Sequence, residues 1–237
     1  MNGKKVLAVI LPLLSVLLLA LGVWQFIKPA VSKGVIQETG REAVQTSKKK
    51  IQANKDNAKQ SEIKVIPTDN QVLHPLTTEE LLKNRVENKD LDIIGVIAIP
   101  DVGIKLPILN GVTYETMMYG AGTIKSNAMM GQGNYSLASH TIFNTYTNSI
   151  EKDVLFGNLI HAKTGQNIYV TDKAKVYEYV IDKVYTVKDN QVDILKDNKN
   201  KKEITLVTCT SLTGNDRLIV HGTLEETSSY QEKSDLF

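Results

Sequence analysis

The sequence predicts a mostly β domain, an antiparallel barrel or sandwich, which follows an apolar segment and a polar spacer. Three observations lead to this fold class. Short runs of β-branched and aromatic residues fill the second half of the chain, turn residues separate these runs, and helical patterns are brief. We therefore expect a membrane anchor at residues 1–30, a spacer at 31–75 and a folded domain at 76–237.

The expected anchor is an uncharged apolar run from Val6 to Ile27, preceded by Lys4 and Lys5. About 20 apolar residues cross the hydrocarbon core of a bilayer, so the run is long enough for a transmembrane helix. A cleaved signal peptide is the alternative, although no A-x-A cleavage pattern follows the run. Both interpretations place the remainder outside the cytoplasm. The two lysines favour a cytoplasmic N-terminus, a single pass through the membrane lipid and an extracellular domain.

The spacer is polar and basic. From Lys28 to Lys64 there are nine Lys or Arg residues against four Asp or Glu, whereas the whole chain has a formal net charge of only +2. Its apolar positions are too sparse to bury the face of a helix, so we expect a linker that sets the distance from the membrane. A basic stretch beside an acidic domain indicates a stalk that lies near an anionic surface rather than a nucleic-acid binder. The sequence contains no motif that reads DNA or RNA.

The folded domain contains strand-like runs separated by turn residues such as those of 101–103. The predicted strands are 93–100, 104–110, 134–139, 167–171, 176–187, 203–209 and 217–224. Short helices are expected at 113–119 and 153–159, and the polar loop 189–202 is expected to be mobile. Because 42% of the residues are apolar, the chain can build a core and is not wholly disordered.

Cys209 is the only cysteine, so no intramolecular disulfide can form. It ends the predicted strand 203–209, which would place its side chain at the rim of a barrel. The residue type alone supports an inert buried thiol and a nucleophile about equally. Export favours the nucleophile, because an unpaired thiol outside the cytoplasm is a liability unless it has a function or is deeply buried.

A cysteine nucleophile requires a nearby cation, usually a histidine, that stabilises its thiolate. Of the four histidines, His74 lies at the edge of the spacer and His161 follows a short helix. His140 and His221 lie in or beside predicted strands, and spacing does not choose between them.

Arg217 lies eight positions after Cys209, across a polar loop. If the flanking strands pair, its guanidinium returns to the level of the thiol, where it could hold substrate and stabilise an oxyanion. The alternative, commoner for such spacing, is an exposed strand arginine paired with Asp216.

Two motifs, TLVTC followed by the arginine eight positions later and LASHT upstream, together resemble the signature of the sortases. The similarity continues through IGVIAIPDVGIKLPI, MGQGNYSLASH and VYEYV, in the order of a class A, housekeeping sortase of Gram-positive bacteria, from about Ile94 to Leu224. Ser139 departs from the pattern, because the family commonly has glycine before the histidine. We expect little damage from so small a residue.

The resemblance implies a closed eight-stranded β-barrel with short helices and the activity of a membrane-anchored cysteine transpeptidase. The family's catalytic residues correspond to His140, Cys209 and Arg217, which leaves His221 as a neighbouring strand residue. The implied reaction cleaves an LPXTG-type sorting signal of a surface protein between Thr and Gly. The acyl group then passes to an amine of a cell-wall precursor of the lipid II type.

The resemblance also implies an apolar groove for the Leu-Pro part of the sorting signal, although core packing is the simpler explanation for each residue alone. The corresponding positions are Ala98, Pro100, Ala138, Val192, Ile194, Leu195, Thr208 and Ile219. Some sortases bind calcium between the third and fourth strands, where this chain has no Asp or Glu from Gly120 to Gly133. Calcium prefers several carboxylate oxygens, so we expect neither a metal nor another cofactor.

Three other functions stay open. A pilus-assembling sortase would share the catalytic residues, but it usually carries a lid before the barrel and a second membrane helix, and the sequence shows neither. An exported cysteine protease would hydrolyse the same acyl-enzyme. A non-catalytic surface domain would use Cys209 structurally, and burial of the thiol away from His140 and Arg217 would favour it.

Overall fold

The computed structural model describes residues 91–125, 128–143, 149–211, 213 and 215–237. It also describes helical residues 10–24 and scattered helical positions (26, 27, 30, 31, 34, 38 and 44). The spacer therefore lies almost entirely outside the described residues, as do residues 76–90 at the start of the folded domain. None of the helices that the described residues form has both the length and the hydropathy needed to cross a bilayer.

Within the described part of the chain, eight strands close into a barrel in the order β1-β2-β3-β4-β7-β8-β6-β5. The strands are β1 (Ile93–Ile99), β2 (Ile104–Leu109), β3 (Ala121–Thr123), β4 (Asn134–Ala138), β5 (Asn167–Thr171), β6 (Lys175–Lys188), β7 (Glu203–Cys209) and β8 (Asp216–Ser229). This confirms the mostly β fold and the closed eight-stranded barrel. The seven predicted strands are present, and β3 is an additional strand that the sequence analysis missed.

The barrel is not fully antiparallel, which corrects the sequence-based expectation. Strand β2 pairs with β3, and β4 with β7, in parallel. The other six neighbouring pairs are antiparallel. A parallel pair needs a connection long enough to bring the chain back to its starting edge. Strands β5 and β6 provide that connection between β4 and β7. As a result, β4 and β7 end at the same edge of the barrel.

Helix α1 (Tyr114–Tyr119) confirms the predicted helix at 113–119. It begins with a reciprocal cap in which the Thr116 backbone N–H donates to the Thr113 hydroxyl at 3.0 Å. In return, the Thr113 N–H donates to the Thr116 hydroxyl at 2.8 Å. The cap satisfies backbone donors that a helix of only six residues leaves free at its start.

The predicted helix at 153–159 is wrong, since the helical residues there form a 3-10 turn at Gly157–His161. Asp153 and Leu155 have φ angles of 59° and 50°, in the left-handed region, which is incompatible with a right-handed helix through these positions. Further 3-10 turns are Pro100–Val102, Val192–Leu195 and Tyr230–Leu236.

The barrel interior is an apolar core to which β4 contributes Leu137, β7 contributes Leu206, and β8 contributes Leu218 and Val220. Because side chains alternate along a strand, the residues next to these point to the outside of the barrel. A second apolar cluster lies there, which we call the outer cluster. It comprises Val112, Met117, Ala138, Val207 and Ile219, with Ile124, Val187, Ile194 and Leu195 packed against them.

Candidate active site

The hairpin of β7 and β8 brings Cys209 and Arg217 together. The two residues are direct partners in the antiparallel register, as the sequence analysis expected if the flanking strands paired. The alternation along both strands places them on the outer face, two residues from Val207 and Ile219 of the outer cluster. Cys209 is 1% exposed and Arg217 is 7% exposed. The thiol and the guanidinium therefore share one partly desolvated site.

The alternative for Arg217, an exposed arginine paired with the Asp216 carboxylate, does not match the structure. The Asp216 carboxylate instead accepts a hydrogen bond from Lys188 Nζ at 2.7 Å. Arg217 Nη1 donates to the backbone carbonyl of Asp216 at 3.3 Å. The side chain of Arg217 is buried, so its charge acts in a medium where it is less screened than at the surface.

The protonation of Cys209 is set by two opposing effects. Burial raises the pKa of the Cys209 thiol, because a thiolate loses its hydration there, and the positive charge of Arg217 opposes this shift. Burial is the larger effect, so the net shift of the thiol pKa is upward. A nearby base is therefore needed to form the nucleophilic thiolate.

His140 reaches the same edge of the barrel from β4. This strand ends at Ala138, which is in parallel register with Val207 of β7. His140 comes two residues after Ala138, and Cys209 comes two residues after Val207. Because the two strands are parallel neighbours, His140 and Cys209 lie at the same edge of the barrel, on adjacent segments of backbone.

Thr208 fixes the backbone on both sides of His140. Its hydroxyl donates to the Ser139 carbonyl at 2.8 Å and lies 2.7 Å from Thr141 Oγ1. Because Thr208 has a single hydroxyl proton and gives it to Ser139, Thr141 is the donor in the second contact. Both contacts are buried, so the segment that carries His140 is tied to the residue immediately before Cys209.

The imidazole of His140 is 1% exposed and packs edge-on against Tyr114 of α1, with ring centroids 5.2 Å apart. The neighbouring Ser139 hydroxyl donates to the Gly120 carbonyl at 2.7 Å. A serine in place of the family's usual glycine thus has a hydrogen-bond partner for its added polar atom, which agrees with the expectation of little damage.

His221, the competitor of His140, lies elsewhere on β8. It is in register with Thr205 of β7, four residues before Cys209. Its Nδ1 atom is 2.6 Å from Asp182 Oδ1, and its Nε2 atom is 3.6 Å from Glu203 Oε1. His221 is therefore engaged by two carboxylates at a level well below the strand end. Of the remaining histidines, His161 ends a 3-10 turn and His74 lies outside the described residues.

Comparison with known proteins shows the family to which this chain belongs. The Sortase domain profile matches residues 97–225. The chain is also 38% identical over 221 residues to sortase A of Streptococcus agalactiae, which covers 92% of this chain and 85% of that protein. The chain belongs to the sortase family.

Further similarities agree with this assignment. Sortase A of Bacillus anthracis is 38% identical over 148 residues, which covers 61% of this chain and 67% of that protein. The crystal structure of sortase A from Listeria monocytogenes has a TM-score of 0.55 and 31% identity, and covers 61% of this chain and 97% of that one. This sortase is therefore a class A cysteine transpeptidase that acts on LPXTG-type sorting signals.

Four of the eight predicted groove residues of this sortase lie in the outer cluster, beside the thiol. These are Ala138, Ile194, Leu195 and Ile219. The sequence analysis missed the other five members, which are Val112, Met117, Ile124, Val187 and Val207. Met117 is fully buried on α1, but a helix of six residues is too short for its periodicity to reveal which face is covered.

The other four predicted groove residues are not in the outer cluster. Ala98 lies on β1, three strands away from β4 in the barrel order, and Pro100 is exposed in the following 3-10 turn. Val192 is 56% exposed. The side chain of Thr208 lies on the opposite face of β7 from that of Cys209, and its hydroxyl contacts Ser139 and Thr141 on either side of His140. A role for Ala98, Pro100, Val192 and Thr208 in the groove stays a prediction.

The segment between β3 and β4, where some sortases bind calcium, contains Lys125 and no Asp or Glu. Lys125, in the segment after β3, pairs with Asp197 of the loop 189–202. The Lys125 ammonium and the Asn134 backbone N–H lower the pKa of the Asp197 carboxyl below its ordinary value. Gly133 allows this approach, since a Cβ atom there would lie 2.6 Å from Asp197 Oδ1. Across the described ranges, no group of three or more His, Cys, Asp or Glu side chains is arranged to hold a metal ion.

We expect the transpeptidation rate of this sortase to be independent of calcium, because the Lys125 ammonium already neutralises Asp197. The measurement is the initial rate of the chelator-dialysed enzyme with and without millimolar calcium chloride. Magnesium chloride at the same concentration controls for ionic strength. A rise in rate with calcium that magnesium does not reproduce would contradict this expectation.

Proposed function

We propose that Cys209 is the nucleophile of this sortase, that His140 is its general acid and base, and that Arg217 positions the substrate and stabilises the oxyanion. One observation carries the proposal. Cys209 and Arg217 face each other across β7 and β8, and the parallel pairing of β4 with β7 brings His140 to the same rim. The site adjoins the outer cluster, whose buried apolar side chains would contact a Leu-Pro segment once the loop 189–202 moves aside.

The acylation step begins with transfer of the Cys209 proton to the imidazole of His140, since burial raises the pKa of the thiol and a base is needed to form the thiolate. The thiolate sulfur attacks the Thr carbonyl carbon of the sorting signal. The guanidinium of Arg217 stabilises the negative charge that develops on the carbonyl oxygen. The imidazolium then protonates the Gly nitrogen as the C–N bond breaks, which leaves a thioester on Cys209 and a free Gly amine.

The transfer step regenerates the enzyme. The amine of a cell-wall precursor of the lipid II type attacks the thioester carbonyl, the C–S bond breaks, and His140 accepts a proton from the attacking nitrogen. The thioester retains much of the energy of the cleaved peptide bond and reacts readily with amines. Transfer can therefore proceed without any other source of energy.

The sorting signal is proposed to bind with its Leu-Pro part against the outer cluster. Ala138 and Ile219 supply the floor from β4 and β8, and Ile194 and Leu195 reach it from the loop 189–202. Burying apolar surface contributes about 25 cal/mol per Å², so a Leu and a Pro side chain contribute a few kcal/mol to binding. We propose that the loop 189–202 moves to admit the peptide.

We further propose that residues 1–30 anchor the enzyme in the cell membrane in a single pass, with the N-terminus in the cytoplasm. Residues 31–75 would then space the extracellular catalytic domain, 76–237, from the lipid. The large apolar side chains of the described helical residues 10–24 are 50–66% exposed. An uncharged helix with this much exposed apolar surface needs an apolar environment to cover it.

Trapping the acyl-enzyme tests the proposed chemistry. The full-length chain is mixed with an LPXTG peptide without acceptor, quenched in acid and examined by intact-mass and peptide-mapping mass spectrometry. The expected result is a mass increase equal to the LPXT acyl fragment, located on Cys209. Triglycine added before the quench should convert the adduct into a ligated peptide. Cleavage with no adduct on Cys209 and no effect of triglycine would refute the mechanism.

A further inference from the structure

Helix α1 contacts the segment that carries His140 at both of its ends. Just after the C-terminal end, the Ser139 hydroxyl donates to the Gly120 carbonyl at 2.7 Å, and it lies 3.4 Å from the Met117 carbonyl oxygen. At the N-terminal end, the ring of Tyr114 packs against the imidazole of His140, with ring centroids 5.2 Å apart and ring planes at 70°. The helix therefore contacts both the imidazole and the residue before it.

The backbone position of Tyr114 is set by hydrogen bonds around the start of α1. Tyr114 is the first helical residue and directly follows the Thr113 cap. The Thr116 hydroxyl lies 3.1 Å from the Gly111 carbonyl oxygen, and the Gly111 backbone N–H donates to the Thr123 hydroxyl of β3 at 2.8 Å. Thr123 is buried in the barrel wall. The first turn of the helix is thus tied to a rigid strand, which fixes the point from which the Tyr114 ring projects.

The two rings differ in burial. His140 is almost fully buried, whereas Tyr114 is half-buried and packs against the apolar core of the barrel interior. Because Tyr114 contacts the imidazole and is itself partly exposed, its ring is part of what covers His140. Replacing this ring by a methyl group would leave a gap beside the imidazole, and a side chain next to a gap can occupy other rotamers.

The orientation of the imidazole matters because it has to reach two atoms in turn, the Cys209 sulfur and the departing Gly nitrogen. Proton transfer requires the two heavy atoms to lie within about 2.6–3.2 Å of each other. The hydrogen bonds of Thr208 fix the backbone on both sides of His140, but two side-chain torsions still decide where the ring points. A contact with the ring itself is needed to limit these torsions, and Tyr114 makes one.

We propose that Tyr114 is a positioning residue of this sortase. Its ring holds the imidazole of His140 in the orientation from which the imidazole takes the Cys209 proton and passes it to the departing Gly nitrogen. Tyr114 itself exchanges no proton and forms no bond to the substrate in this role. The inference rests on the proposed function, because it matters for the rate only if His140 is the acid and base.

The test measures kcat and KM of the full-length enzyme for an LPXTG peptide, with triglycine as acceptor. Rates are divided by the folded fraction at the assay temperature, which circular dichroism gives. Tyr114→Ala is expected to lower kcat and kcat/KM equally, by roughly 10- to 100-fold, the cost of a misplaced catalytic group. Tyr114→Phe keeps the ring and should stay within about twofold of the wild-type kcat, because the ring makes the contact. Tyr114→Leu fills much of the space without a flat ring, and it replaces the alanine variant if that variant does not fold.

Tyr119 offers a matched control on the same helix. It is the last residue of α1, and like Tyr114 it is half-buried and packs against the core of the barrel interior. Tyr119→Ala is expected to lower the thermal midpoint of unfolding about as much as Tyr114→Ala, with kcat per folded molecule close to the wild-type value. Equal losses of kcat in the two alanine variants would assign the effect to a weakened helix and overturn the positioning role. A rise in KM alone, or a loss in Tyr114→Phe as large as in Tyr114→Ala, would overturn it as well.

The variant His140→Ala separates this inference from the proposed function. If His140→Ala loses activity while Tyr114→Ala keeps the wild-type kcat, the positioning role is refuted and the proposed mechanism stands. If His140→Ala keeps the wild-type kcat, the assignment of His140 as acid and base fails, and the role of Tyr114 fails with it.

Discussion

Replacing Cys209 by alanine is expected to abolish both the acyl-enzyme adduct and the ligated product, with a loss of roughly 10⁴-fold or more in kcat/KM. The reason is chemical, because Cys209 is the only thiol of the chain and no other side chain can form the thioester. The measurement is peptide cleavage by chromatography together with intact-mass analysis. An adduct that persists in Cys209→Ala would place the nucleophile elsewhere.

The same variant must remain folded for the result to bear on chemistry. Cys209 is buried at the end of β7, and removing its sulfur leaves only a small void. We expect a change in the free energy of unfolding of about 1 kcal/mol, which far-UV circular dichroism during thermal unfolding can measure. Cys209→Ser fills the space more closely and should also be inactive with the barrel intact. Loss of the folded β signal in both variants would instead indicate a structural role for the thiol.

Replacing Arg217 by alanine is expected to lower kcat/KM by roughly 10²- to 10³-fold, the usual cost of removing one group that stabilises an oxyanion. A second effect comes from electrostatics. The charge of Arg217 lowers the thiol pKa against the larger effect of burial, so its removal should raise that pKa further. The alkylation rate with iodoacetamide depends on the thiolate fraction, and its midpoint should therefore move to higher pH in Arg217→Ala.

Arg217→Lys distinguishes the two roles of this residue. Lysine keeps a positive charge opposite Cys209 but lacks the planar, two-pronged donor of arginine. The midpoint of alkylation should return toward the wild-type pH, whereas kcat/KM should recover only in part. A midpoint that does not rise in Arg217→Ala would show that the guanidinium does not act on the thiol.

The sequence predicted those parts of the fold that depend on local pattern. Runs such as 203–209 alternate or are β-branched, and they form strands as expected. The pairing of Cys209 with Arg217 was also predictable, because a short loop between two strands returns the chain to the same level. Strand β3 was not predictable, because its three residues, Ala121 to Thr123, are too few to show alternating hydrophobicity. They form a strand through pairing with β2 and β4.

The candidate site was harder to predict where it depends on which strands become neighbours. Spacing left His140 and His221 as equal candidates, and the parallel register of β4 with β7 separates them. The family resemblance places Ala98 and Pro100 in the groove, and these two residues lie on or just after β1, which is not a neighbour of β4 in the barrel order, so their role stays a prediction. Met117 lies near Ala138 only because α1 packs against the outside of the barrel, and Val112 lies in the segment just before this helix.

The pairing of β4 with β7 has a consequence for when this enzyme becomes reactive. Ser139 and Thr208, which join the two halves of the site, are 69 residues apart in the chain. No hairpin holds them together, so their contact forms only when most of the intervening chain has folded, and such distant contacts form slowly. A newly made chain therefore does not hold His140 beside Cys209 until the barrel closes.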